Sequence, residues 1–136
     1  MLDLVLEESE RIDSRFLEPA CGNGNFLSEV LIRKLNIVKQ WYSKNQVEYE
    51  RYSIVAISSI YGIDILKDNV INCQERLYEI FRSQYVQIFN STYKEDCLKS
   101  AKFVLSKNII WGDALSFKNR NYSGKLKISS KYVLSR

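Results

Sequence analysis

A chain of 136 residues, 46% hydrophobic and 26% charged, has the size and composition of one globular domain. No apolar run approaches the roughly 18 residues of a membrane span, and Asp3, Glu7, Glu8 and Glu10 do not suit a secretory signal peptide, so a cytoplasmic protein is expected. The net charge is +4, and it is unevenly placed: residues 116–136 hold six basic side chains and no acid, whereas the rest hold 14 basic and 16 acidic ones.

In chain order, residues 1–10 set Leu2, Val5 and Leu6 among acids, which predicts a short amphipathic helix. Residues 15–18 form a first strand, followed by a turn carrying Gly22 and Gly24. From residue 25 to 43, Phe26, Leu27, Val30, Leu31, Leu35, Val38, Trp41 and Tyr42 recur at helical spacing, with Asn23 or Asn25 as the expected cap. A short helix is expected over 47–57 and a second strand over 59–65. A long helix over 66–89 follows, its face traced by Val70, Cys73, Leu77, Ile80, Phe81, Gln84 and Ile88, with Gln84 the one polar exception. Cys97, Leu98, Ala101, Val104 and Leu105 place a further helix over 92–106, and residues 108–111 read as a third strand. Strands alternating with helices imply an α/β fold around a parallel sheet.

Three cysteines, Cys21, Cys73 and Cys97, and no histidine offer no zinc-ligand pattern. They read as buried free thiols. Without histidine, any general base must be another residue type.

The most specific stretch is Phe16-Leu17-Glu18-Pro19-Ala20-Cys21-Gly22-Asn23-Gly24-Asn25-Phe26-Leu27, a strand end, a two-glycine turn and a helix start. Gly22 and Gly24 can take backbone angles closed to other residues and let a ligand lie against the main chain. The helix start directs unpaired N–H groups at the same space. The dinucleotide fingerprint fails, because its third glycine position falls on Leu27, and the phosphate-loop Gly-Lys-Ser/Thr is absent. The interval from Gly24 to Asp64 also exceeds the roughly 20 residues of a minimal dinucleotide unit. A strand–turn–helix with no ligand is the alternative.

The run from Glu18 to Leu27 closely resembles motif I of the S-adenosylmethionine (SAM)-dependent amino-methyltransferases of DNA, above all the N6-adenine enzymes of restriction–modification systems. Two further segments resemble that family in order. Ser59-Ile60-Tyr61-Gly62-Ile63-Asp64-Ile65 ends in an acid that, by the resemblance, accepts hydrogen bonds from the ribose hydroxyls, with Ile65 packed on the adenine. Asn108-Ile109-Ile110-Trp111-Gly112-Asp113-Ala114-Leu115 puts Asp113 where the family contacts the exocyclic amine. The resemblance implies a Rossmann-like methyltransferase fold over residues 1–115, and SAM as cofactor held by Glu18, Pro19, Ala20, Gly22, Gly24, Phe26, Asp64, Ile65, Asp113 and Ala114. It also implies DNA as the partner. On their own residues, Asp64 and Asp113 read equally as helix caps or turn residues at strand ends.

The family's chemistry depends on a fourth strand ending in Asn-Pro-Pro-Tyr or a close variant, and the single proline here is Pro19. The expectation is thus a truncated methyltransferase with no catalytic residue of its own. Its basic segment 116–136 reads as loop or remainder, and its sheet, stopped after three strands, leaves an open edge prone to self-association or to a partner subunit. The alternative is a non-catalytic SAM-binding or degenerate Rossmann-like module that acts by association.

Overall fold

The structure, a computed structural model, describes residues 11–112 and 127–128. The expected helix over 1–10 lies outside the described residues, as do Asp113, Ala114 and most of the basic segment. Within them, the order is β1 (Phe16–Glu18), α1 (Asn25–Tyr42), α2 (Gln46–Ser58), β2 (Ile60–Asp64), α3 (Lys67–Ile88), α4 (Glu95–Asn108), β3 (Ile109–Trp111) and β4 (Lys127–Ile128). Among the described residues the fold is α/β, with four helices and an open sheet whose strand pairs are all parallel. It is compatible with a Rossmann-like arrangement.

Strand order is β3-β2-β1-β4. Leu17 lies opposite Tyr61 on one side and Ile128 on the other, and Gly62 lies opposite Ile109. The sheet therefore does not stop after three strands. The two-residue β4, inside the segment expected to be loop, pairs with β1 and covers part of the edge expected to be open. Its position reverses the direction of strand addition next to β1. In open parallel sheets a ligand crevice lies outside the strand C-termini at such a reversal.

β1 is buried throughout and β2 nearly so, as parallel strands are, whereas β3 runs from buried Ile109 to exposed Trp111. Phe16, Ile60 and Ile109 join the main core with Leu27, Val30, Leu31 and Leu35 of α1 and Cys73, Leu77 and Phe81 of α3. Leu17 and Ile63 are equally buried but stand outside that core. Gly62 has no room for a side chain, since a Cβ there would meet Cys21 Cβ and Leu27 Cδ1 at 3.0 Å and Ile109 Cδ1 at 3.2 Å. Its lack of a Cβ is what lets α1 and the turn before it approach β2.

Helix ends follow from local chemistry. The Asn45 side chain accepts from Glu48 N–H at 3.1 Å and caps α2. At α1 the expected asparagine cap is not used. Gly24, at φ +90°, is the N-cap, with no side-chain cap bond, while Asn25 Oδ1 instead accepts from Arg76 of α3. The asparagines lose that role because the glycine turn enters the helix in a left-handed conformation that glycine tolerates best.

The face of α3 is rotated slightly from its expected line. Tyr85, one turn past Phe81, is fully buried, stacked on Tyr49 with centroids 5.9 Å apart. Its hydroxyl donates to Glu50 and accepts from Lys94 N–H at 2.9 Å. Gln84, the polar exception, accepts from the Tyr49 hydroxyl at 2.5 Å. Buried tyrosines keep a partner for their hydroxyl, and this network joins α2, α3 and the start of α4.

Lys34, on the apolar stripe of α1, is fully buried. Its ammonium donates to the carbonyls of Arg11 at 2.7 Å, Ile12 at 3.1 Å and Ser14 at 2.5 Å, and lies 5.3 Å from the Phe16 ring centroid. It thereby ties the segment entering β1 to the first helix. Among the described residues, no helix is long and apolar enough to cross a membrane.

Candidate functional site

The site assembles at the C-terminal ends of β1, β2 and β3. Glu18 closes β1 with only 4% of its surface exposed, beside Gly62 on the neighbouring strand. The turn that follows is fastened to β2 by its backbone: Cys21 N–H donates to Ile63 O at 3.0 Å, and Gly24 N–H returns to Cys21 O at 2.9 Å. Pro19 is half-buried, Ala20 exposed, Gly22 half-buried and Gly24 buried.

Both glycines are left-handed, Gly22 at φ +55° and Gly24 at φ +90°, as the two-glycine turn implied. They differ in surroundings. A Cβ on Gly22 would meet nothing within 4 Å, whereas one on Gly24 would meet Cys73 Sγ at 3.0 Å and its Cα at 3.4 Å. Gly22 thus leaves open space over the main chain, and Gly24 lets the turn sit against α3. Gly22→Ala should cost about 1 kcal/mol, the backbone term alone. Gly24→Ala should cost about 3 kcal/mol, because overpacking adds to that term. Urea titration of the two variants checks the order; equal costs would mean that the contact with Cys73 is not tight.

Asp64 ends β2 and organises the turn. Oδ2 accepts from Gly22 N–H at 2.9 Å; Oδ1 accepts from Leu66 N–H at 2.8 Å and from the Asn69 amide at 3.3 Å. Burial pushes the carboxyl up, but these bonds, with Ile65 N–H adding to them, outweigh it and hold Asp64 below the usual carboxylate range. A carboxylate accepts about four hydrogen bonds, so much of its capacity is used by the chain itself. Asp64 is therefore a turn residue joining the glycine loop to the start of α3, one of its two expected roles. A diol would have to share its oxygens with Gly22 and Leu66.

The two buried thiols lie behind this turn. Cys21 is pushed strongly up by its hydrogen bond with Cys73, by burial, and by the charges of Asp64 and Glu18. Both are free, as is Cys97, but Cys97 is only half-buried, so the expected burial holds for Cys21 and Cys73 alone.

The outer part of the site is apolar and exposed. Ile65 is 74% exposed, Leu66 58% and Trp111 63%. Trp111 lies opposite Asp64 in the sheet register, and its indole N–H donates to Ile65 O at 2.9 Å. Lys67 Nζ stands over that ring, 5.7 Å from its centroid. Gly112 N–H donates to Asp64 O at 2.9 Å at the same corner.

Of the expected site residues, the structure gathers Glu18, Pro19, Ala20, Gly22, Gly24, Asp64 and Ile65 around one strand-end corner. Phe26 stands apart. It packs on the core and lines a cleft with Asn25, Glu29, Ile32 and Arg76 between α1 and α3, a cleft not lined by Glu18, Gly22 or Asp64. Sequence reasoning missed Trp111, Lys67 and Asn69; an aromatic at a strand end followed by Gly-Asp was the available signal for the first. The arrangement offers enclosed carboxylates, a glycine surface, an apolar ledge, and a helix α1 with no acid in its first turn. Such a corner suits a small ligand with both hydrogen-bond donors and a flat apolar part. Comparison with family models, with curated proteins and with solved structures finds no match to this chain.

Proposed function

We propose that this chain is the SAM-binding part of a DNA adenine-N6 methyltransferase of the restriction–modification kind, built on a Rossmann-like methyltransferase fold and working in the cytoplasm. The observation that carries the reading is the Gly22–Asp64 hydrogen bond, which draws the Glu18–Leu27 motif and the β2 acid into one corner beside a reversal of strand order. The residues fit the cofactor. Gly22 leaves its main chain open, Asp64 and Glu18 are acceptors suited to hydroxyl or ammonium donors, and exposed Ile65 suits an adenine face. Asp113 and Ala114 would complete the adenine contacts from outside the described residues.

When bound, SAM supplies an electrophilic methyl group. This chain's residues would orient it: Asp64 toward the ribose, Ile65 against the ring, and the glycine turn against the methionine part. Holding the target amine in line is a separate task that supplies much of such a rate enhancement. No Asn-Pro-Pro-Tyr run exists among these 136 residues. With DNA, the chain by itself should show no methyl transfer above background, and activity would require further segments or a partner subunit.

Titration calorimetry with SAM or S-adenosylhomocysteine at millimolar concentration tests the reading, and saturable heat is expected. Absence of heat from folded protein rejects it. Binding without transfer under every pairing with DNA and candidate partners would favour the second reading, a non-catalytic SAM-binding module, which the missing tetrapeptide supports.

A further inference from the structure

Trp111 has no assigned role, yet its geometry is that of a built surface. An indole with 63% of its area exposed would ordinarily rotate freely on a strand end. Here its N–H is fixed on Ile65 O at 2.9 Å, and Lys67 stands over the ring. The result is an oriented aromatic plane beside two exposed aliphatic side chains, Ile65 and Leu66. Trp111 is the register partner of Asp64 in the sheet, and the Asp64 carboxylate accepts from Gly22 N–H of the glycine turn.

We infer that Trp111 is a ligand-contacting residue, the aromatic wall on which the purine ring of the cofactor stacks, with Lys67 holding the indole in place. The inference rests on the cofactor reading above and extends it to a residue outside the Glu18–Leu27 and β2 motifs. A purine base stacks well on an aromatic side chain. Fixing the indole N–H in a hydrogen bond with the chain spares the ordering that stacking otherwise requires. The β2→α3 turn and the end of β3 then form one subsite, because the same Ile65 offers its side chain to the ligand and its carbonyl to the indole.

The chain has two tryptophans, so Trp41→Phe leaves Trp111 as the sole indole reporter. In that background, S-adenosylhomocysteine and 5′-methylthioadenosine should each change the Trp111 emission saturably. By calorimetry, Trp111→Leu should weaken S-adenosylhomocysteine binding about tenfold, while Trp111→Phe, which keeps a stacking ring, should recover most of the loss. A merely structural role would not discriminate these variants at equal urea midpoints. If S-adenosylhomocysteine gives heat but leaves the emission unchanged, and Trp111→Leu binds as tightly as the parent, the inference is overturned while the cofactor reading stands. If neither ligand gives heat, both fall.

Discussion

Replacing Lys34 by Met should lower folding stability by about 3 kcal/mol or more, a large share of the roughly 5–15 kcal/mol typical of a domain. The ammonium is fully buried and donates to three carbonyls, those of Arg11, Ile12 and Ser14. Methionine matches the stem of lysine and fills the same space, so the loss isolates the polar head. Charge-assisted hydrogen bonds are stronger than neutral ones, and the abandoned acceptors would stay partly buried. Denaturant unfolding gives the number directly. A loss below about 1 kcal/mol would mean that water reaches those carbonyls and that the segment before β1 is not held by this residue.

On the proposed reading Asp64→Asn should weaken S-adenosylhomocysteine binding by about tenfold, and it should also cost about 1–3 kcal/mol of stability at neutral pH. Asparagine keeps one acceptor oxygen but presents N–H groups at the other position, where Gly22 N–H or Leu66 N–H now finds a carboxylate oxygen. The pH dependence follows from the lowered folded-state pKa of Asp64. The folded protein binds fewer protons there than the unfolded chain, so stability rises with pH across the window. The gap between parent and variant should therefore be full at neutral pH. It should close as pH falls through and below the usual aspartate range, roughly 4. Urea midpoints of both proteins between neutral and acid pH read this out, and a constant gap would remove the carboxylate from the turn.

Much of this corner could be read from residue types and spacing. Helical periodicity located α1, α3 and α4 to within about three residues, α2 falls where a short helix was expected, and the expected alternation of strands and helices produced a parallel sheet. The two glycines were legible because a strand–turn–helix corner needs backbone angles that few other residues adopt, and both are left-handed. Other features depend on tertiary contacts that spacing does not encode. Lys34 occupies an apolar position between Leu31 and Leu35, a local clue, but its partners are carbonyls some 20 residues upstream. Strand β4 is two residues long in a basic, polar stretch and exists through pairing with β1. Tyr85 displaced Gln84 from the buried line because its hydroxyl found Glu50 and Lys94. The dual claim on Asp64, as turn residue and as ligand acceptor, likewise emerges only when Gly22 and Leu66 are seen to share its oxygens.

On the proposed reading, one ligand bridges the glycine turn and the ends of β2 and β3. The most direct measurement is the backbone amide spectrum of isotopically labelled protein titrated with S-adenosylhomocysteine. Saturable shifts are expected at Gly22, Gly24, Ile65, Leu66 and Gly112, with the amides of the α2–α4 contact unmoved. Well-dispersed spectra in which these corner amides stay in place at millimolar ligand would rule such a ligand out.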